Sequence, residues 1–187
     1  MLSGRLGHFL DRPLKGFSLK IKIHPNALSI TGFIITVFSA CLIPFSPLYG
    51  GVLLTVGGAF DLLDGVVARN RNLVSRFGAF LDSTLDRVSD ALLFAAVAIL
   101  FYLRSDINHG LLSISCLIWS FLVSYTRARI EGLGGECRIG IAERPERILL
   151  LIGGLITGYI ILSLWIILIT SFITTLQRIH HARKVLR

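Results

Sequence analysis

The sequence predicts an all-α integral membrane protein with six transmembrane helices and an N-terminal amphipathic segment beside the membrane. Of the 187 residues, 53% are hydrophobic and only 16% are charged, against about 25% charged residues in soluble domains. The apolar residues form six blocks, each long enough to cross roughly 30 Å of hydrocarbon as a helix. Since few residues remain outside these blocks, we expect residues 1–187 to form a single domain.

The segment before the first apolar block mixes basic and apolar side chains. Residues 3–19 place Leu6, Phe9 and Phe17 among arginines and lysines, a pattern that predicts an amphipathic helix lying on the membrane face. Pro13 interrupts this pattern. The alternative is a disordered basic tail held by anionic lipid headgroups.

The ends of the apolar blocks place the six predicted helices. They cover residues 26–46, 48–70, 76–103, 108–132, 143–163 and 164–183. The last two blocks run together, but a single helix of that length would exceed the thickness of the bilayer. We therefore place a break between them at Ser163, Leu164 and Trp165.

The positions of the basic residues predict the orientation of the chain. Of the 19 lysines and arginines, all but Arg87 and Arg104 fall in the N-terminal segment, in the C-terminal segment, or near the links after helices two and four. Because basic loops stay in the cytoplasm, we expect a multi-pass protein of the cell membrane. Both termini and the active site would be cytoplasmic. We expect membrane lipids as partners and no nucleic acid.

Four aspartates lie where the second predicted helix ends and the third begins: Asp61, Asp64, Asp82 and Asp86. Residues three or four apart share one face of a helix. The short link at 70–77 predicts that the two helices are antiparallel neighbours. All four carboxylates are therefore expected to meet near the cytoplasmic end of the pair.

The cost of this acidic cluster indicates what it binds. One aspartate at the centre of the bilayer costs about 2.5–3.5 kcal/mol, so four would cost on the order of 10 kcal/mol there. Divalent cations relieve this cost, and ligands that are all oxygen favour Mg²⁺ or Mn²⁺, with Ca²⁺ as an alternative. Two ions would suit four carboxylates together with substrate phosphates. Asp90, by contrast, is expected to pair with Arg87, three residues earlier.

The spacing of these residues resembles the signature of the CDP-alcohol phosphotransferase family at every fixed position. The signature reads Asp61-x2-Asp64-Gly65-x2-Ala68-Arg69-x8-Gly78-x3-Asp82-x3-Asp86. The resemblance implies transfer of a phosphoalcohol unit from a CDP-linked donor to an acceptor alcohol, with release of CMP. It also implies that the aspartates ligate two metal ions, that Asp86 is the catalytic base, and that the protein is a homodimer. The residues implied in binding CDP are Asn26, Gly65, Ala68, Arg69 and Gly78.

Four arginines at the ends of the fourth and fifth predicted helices suggest which acceptor is used: Arg127, Arg129, Arg144 and Arg147. Arginines suit an acceptor that carries its own phosphate. The pattern resembles the inositol phosphate branch of the family, whose acceptor is 1L-myo-inositol 1-phosphate and whose donor is CDP-archaeol or CDP-diacylglycerol. Alternatively, these arginines bind no ligand and only reflect the general enrichment of basic residues in cytoplasmic loops. Arg127 and Arg129 point about 200° apart on a helix, so only one should face the site.

Two other functions fit parts of the sequence. A phosphatidylglycerophosphate synthase would also need a basic pocket, because its acceptor is glycerol 3-phosphate. A divalent-cation carrier would also place acidic residues in paired spans. However, the aspartates lie near one membrane face, and no acidic residues lead to the other side.

Overall fold

The computed structural model describes residues 23–186, and the predicted amphipathic segment at 3–19 lies outside the described residues. Within this range the chain forms six α-helices and no β-strand. The helices are α1 (Pro25–Leu42), α2 (Pro47–Asn70), α3 (Arg76–Leu103), α4 (Ile107–Gly132), α5 (Arg144–Thr157) and α6 (Ile160–Val185). The prediction of an all-helical chain is therefore confirmed for the described part.

Four of these helices, α1, α2, α4 and α6, are long and apolar enough to cross a membrane. The outer surface is also apolar: Phe38 is 61% exposed, Ile99 50% and Leu162 58%. Such a surface suits lipid rather than water. Helix α5 has 14 residues and is about 21 Å long, shorter than the roughly 30 Å hydrocarbon layer. Length and composition alone thus identify four spans.

The six helices close into a ring. Helix α1 packs on α2, α2 on α5, α5 on α6, α6 on α4, α4 on α3, and α3 again on α1. Helices α2 and α3 are not among the closely packed pairs. These predicted antiparallel neighbours meet instead through their carboxylates. Their facing sides are separated by a cavity whose walls also come from α1 and α5. The two aspartate-bearing helices thus meet across a space that a ligand can enter.

The hydrophobic core fills the end of the ring away from the aspartates. It includes Leu54, Phe94, Val97, Leu151 and Leu164, all at most 2% exposed. On α2 the core residue Leu54 comes before the aspartates in the sequence, and on α3 the core residues Phe94 and Val97 come after them. Packing therefore holds one end of the bundle, and the core residue Leu54 also forms part of the wall of the cavity between α2 and α3.

The turn between α5 and α6 lies five residues earlier than predicted. Gly158 follows the last residue of α5 with φ of +83°, the left-handed conformation that glycine adopts without steric cost. Ser163, where the break was expected, instead lies inside α6 and is 8% exposed. The predicted boundary at 163–165 is therefore wrong, because a single glycine ends the helix within an otherwise continuous apolar run.

Candidate active site

Three aspartates from two helices form the acidic centre of the site. Asp61 and Asp64 from α2 and Asp82 from α3 each place one carboxylate oxygen within 4.8 Å of the others. Ligand oxygens about 2.1 Å from Mg²⁺ lie about 3 to 4 Å from one another. The three carboxylates are therefore close enough that small side-chain movements would let them hold a small divalent cation.

Helix α1 supports this centre with a hydroxyl group. Ser29 Oγ donates a hydrogen bond to Asp64 Oδ2, and Asp64 is only 7% exposed. Ser29 also contacts the carbonyl oxygen of Pro25, one turn earlier, at 3.3 Å. The sequence analysis missed Ser29, because nothing in the sequence of α1 shows that it faces an aspartate of α2.

Asp86 lies beside this group of three rather than within it. Its carboxylate pairs with Arg144 at 2.6 Å and with the neighbouring Arg87 at 3.3 Å. The side chain is 16% exposed. Two guanidinium groups thus balance the charge of Asp86, and Nη1 of Arg144 also lies 2.7 Å from Oδ2 of Asp61.

The predicted ion pair between Asp90 and Arg87 does not form. Asp90 Oδ2 instead lies 3.1 Å from Nη2 of Arg147, and its Oδ1 lies 3.4 Å from Nε of Arg144. Arg87 turns to Asp86. Contacts between helices replace the contact expected within α3, because Asp90 lies on the buried side of α3 where α5 begins.

A cavity of about 280 Å³ on one side of the aspartates contains the residues implied in CDP binding. Asn26, Gly65, Ala68, Arg69 and Gly78 all line it, together with Asp64 and Asp82. A Cβ atom on Gly78 would lie 3.0 Å from Ser75 Oγ and 3.1 Å from Asn26 Oδ1. Glycine therefore keeps the wall of this cavity open at the start of α3.

A second cavity of about 720 Å³ lies on the other side and is basic. Its lining includes Arg127, Arg144 and Arg147, together with Arg178 from α6. Arg129 does not reach it and lines a separate groove between α4 and α6. Three of the four predicted arginines therefore share one cavity, and Arg129 is excluded from it.

Arg178 is a basic residue of this cavity that the sequence analysis assigned only to the charged C-terminal segment. It is 2% exposed, and it donates to the carbonyl oxygens of Val123 and Ile139. Its Nη2 also lies 3.7 Å from Glu143 Oε1. An arginine directly after an uncharged apolar run was the only available signal, and the same signal is common near membrane surfaces.

The third cavity, of about 380 Å³, runs from the aspartates between α1, α2, α3 and α5. One end has Asp61, Asp82 and Asp86, and the walls include Phe33, Leu54, Leu93 and Ile152. A space with an acidic end and apolar walls suits an amphipathic molecule whose polar end is bound through a cation.

The sequence profile of the CDP-alcohol phosphatidyltransferase family matches residues 22–179. Archaetidylinositol phosphate synthase of Pyrococcus horikoshii is 39% identical over 164 residues, which cover 87% of this chain and 85% of the relative. Phosphatidylinositol phosphate synthase of Corynebacterium glutamicum is 36% identical over 182 residues, covering 92% of this chain and 83% of the relative.

The fold is similar to that of the phosphatidylinositol phosphate synthase of Mycobacterium tuberculosis. Its crystal structure with CDP-DAG bound has a TM-score of 0.80 and 29% identity, covering 95% of this chain and 94% of that one. A second structure of that protein, in complex with manganese and citrate, has a TM-score of 0.81 and 28% identity and covers 94% and 90% of the two chains.

Proposed function

Because the chain belongs to the CDP-alcohol phosphatidyltransferase family, we propose that it transfers the phospholipid moiety of a CDP-lipid to an inositol phosphate and releases CMP. The relatives named as inositol phosphate lipid synthases support this acceptor. The observation on which the proposal depends is the position of Asp82, which lines all three cavities described above. A phosphorus atom beside Asp82 would have nucleotide, lipid and acceptor on three different sides.

The two smaller cavities suit the two ends of the donor. The 280 Å³ cavity would bind the cytidine and its phosphates, with Asn26, Arg69 and Gly78 on its walls. The apolar 380 Å³ cavity would receive the lipid end. They meet at Asp82, where the pyrophosphate linking nucleotide and lipid would lie.

The aspartates are proposed to hold two ions of Mg²⁺ or Mn²⁺. Asp86 would be an additional ligand, for the second ion. The grouping of Asp61, Asp64 and Asp82 supports one ion, and the manganese complex of the mycobacterial relative agrees with the choice of metal. When bound, these ions supply positive charge against the pyrophosphate and the departing CMP.

Asp86 is proposed as the base that takes the proton of the acceptor hydroxyl. It lines both the apolar cavity and the basic one, so its carboxylate can face donor and acceptor at the same time. Arg127, Arg144, Arg147 and Arg178 would hold the phosphate of the acceptor, which leaves a hydroxyl group free to turn towards Asp86.

We further propose that α3 and α5 cross the membrane together with α1, α2, α4 and α6, giving six spans with both termini and the active site in the cytoplasm. The basic links after α2 and α4 support this orientation. We also expect a homodimer and a single domain over residues 1–187.

An acceptor panel tests the function. Purified protein with Mg²⁺ and CDP-lipid is given inositol 1-phosphate, free inositol, glycerol 3-phosphate or serine, and CMP release is measured. We expect release with inositol 1-phosphate and its loss in Asp82→Asn and Asp86→Asn. Efficient use of free inositol would contradict the proposed acceptor, and a preference for glycerol 3-phosphate would identify a phosphatidylglycerophosphate synthase. Metal uptake by vesicles without CDP-lipid, with no CMP release, would instead indicate a carrier.

A further inference from the structure

One guanidinium nitrogen bridges the two aspartate-bearing helices. Nη1 of Arg144 lies 2.7 Å from Oδ2 of Asp61 on α2 and 2.6 Å from Oδ1 of Asp86 on α3. Arg144 is the first residue of α5, and its side chain is 19% exposed. The contact that holds α2 and α3 together at the site is therefore made by a third helix.

The same carboxylates are those that a divalent cation would use. Asp61 belongs to the group of three oxygens within 4.8 Å of one another, and Asp86 is the proposed additional ligand. A cation among these oxygens would lie next to the guanidinium of Arg144, and two positive groups so close together repel each other. Arg144 and the metal thus compete for the charge of Asp61 and Asp86.

The guanidinium group of Arg144 can also reach the basic cavity. It lines the 720 Å³ basic cavity as well as the apolar one, so its side chain lies on the wall between the aspartates and the proposed acceptor site. Its Nε is 3.4 Å from Asp90 Oδ1. Arg147, by contrast, is 1% exposed and is held by Asp90 and the carbonyl oxygen of Ala142. Of these two arginines, Arg144 is the one that can turn.

We infer that Arg144 is a positioning residue that couples metal binding to acceptor binding. A divalent cation displaces Nη1 of Arg144 from Asp61 and Asp86, and the released guanidinium turns about its contact with Asp90 to bind the phosphate of the acceptor. Metal and acceptor then each raise the affinity of the protein for the other by the same factor. The inference rests on the proposed function, because that function supplies the acceptor.

Binding measurements without CDP-lipid test this coupling. The affinity for Mn²⁺ is measured by calorimetry on detergent-purified protein, with and without saturating inositol 1-phosphate or glycerol 3-phosphate. In the wild type we expect either phosphate to tighten Mn²⁺ binding about five- to hundredfold, the usual range of coupling between sites. Equal Mn²⁺ affinities with and without phosphate would overturn the inference without any variant.

Two variants separate Arg144 from the other cavity residues. Arg144→Gln should bind Mn²⁺ more tightly than the wild type when no phosphate is present, and should lose the coupling. Arg127→Gln removes an arginine of the same cavity that has no contact with the aspartates. It should weaken phosphate binding but keep the wild-type Mn²⁺ affinity and coupling. Full coupling in Arg144→Gln would overturn the inference.

If Arg144→Gln lowers the melting temperature, Arg144→Lys serves instead. A lysine keeps the positive charge beside Asp61 and Asp86 but has no Nε to remain on Asp90, so coupling should still fall, and unchanged coupling would count against the inference. Failure of the proposed function has a different result. Inositol 1-phosphate would then give no efficient CMP release, whatever the calorimetry shows, whereas efficient CMP release with inositol 1-phosphate but without coupling would overturn only the role of Arg144.

Discussion

Arg147 and Asp90 form a buried ion pair between α5 and α3, with Nη2 and Oδ2 3.1 Å apart. The Arg147 side chain is 1% exposed and that of Asp90 6%. The pair lies behind the wall of the basic cavity, which Arg147 also lines. Because both charges are removed from solvent, each depends on the other for its electrostatic balance.

We therefore expect Asp90→Asn to destabilise the protein strongly. Breaking a buried pair by removing one partner costs about 3–5 kcal/mol, because the remaining charge stays buried. Thermal unfolding in detergent measures the effect. The matched control is Glu136→Gln, which removes a carboxylate paired with Arg138 where both side chains are 81% exposed. Its cost should be below about 1 kcal/mol, and equal melting temperatures for the two variants would contradict the prediction.

Removal of the hydroxyl group of Ser29 should weaken metal binding without abolishing it. Ser29 orients Asp64, and loss of such a supporting hydrogen bond costs about 10- to 100-fold in metal affinity. The measurement is Mn²⁺ binding to Ser29→Ala in detergent. Thr31→Ala is the control, because Thr31 Oγ1 donates only to Ala27 within the same helix at 2.8 Å. Wild-type affinity in Ser29→Ala would show that Asp64 needs no support from α1.

Neighbouring glycines should respond in opposite ways to the same substitution. A Cβ atom on Gly154 would lie 2.8 Å from Ser163 Cβ and 3.2 Å from Ile160 Cα, whereas one on Gly153 would meet nothing within 4 Å. Gly154→Ala should therefore cost about 1–3 kcal/mol through overpacking between α5 and α6. Gly153→Ala should be neutral or stabilising by up to about 1 kcal/mol, since alanine favours helix. Melting temperatures that fall equally would contradict this contrast.

How far the sequence predicts the site depends on how far apart its residues lie along the chain. The pairs Asp61 with Asp64 and Asp82 with Asp86 follow helical periodicity. Four of the six helices, α1 to α4, begin and end close to the ends of apolar blocks. The short link between α2 and α3 also brings their ends together. The acidic centre was therefore predictable from residues 61–86 alone.

Contacts between distant helices were not predictable in the same way. The partner of Asp90 is Arg147, 57 residues later, and the prediction chose Arg87 because only contacts within one helix are visible in a sequence. The bridge between Asp86 and Asp61 comes from Arg144, at the start of α5. Arg178 reaches the basic cavity because α6 packs on α4. Each of these depends on the closed ring of helices, which no local pattern specifies.

Two arginines of α4 provide a further test of the acceptor site. Arg127 lines the basic cavity and pairs with Glu131 at 2.9 Å and with Glu143 at 3.1 Å. Arg129 lines the groove between α4 and α6. Each substitution to glutamine removes one positive charge from the same end of the same helix. Long-range effects of charge on the substrates should therefore be similar in the two variants.

Arg127→Gln should raise the KM for inositol 1-phosphate about 10- to 100-fold, because a hydrogen bond to a charged group contributes about 1.5–3 kcal/mol. The KM for CDP-lipid should stay within about twofold, since Arg127 does not line the cavity with the residues implied in CDP binding. Arg129→Gln should leave both values within about twofold. Equal increases in both variants would mean that the acceptor responds to the overall positive charge of this membrane face. In that case the basic cavity would have no specific role in binding its phosphate.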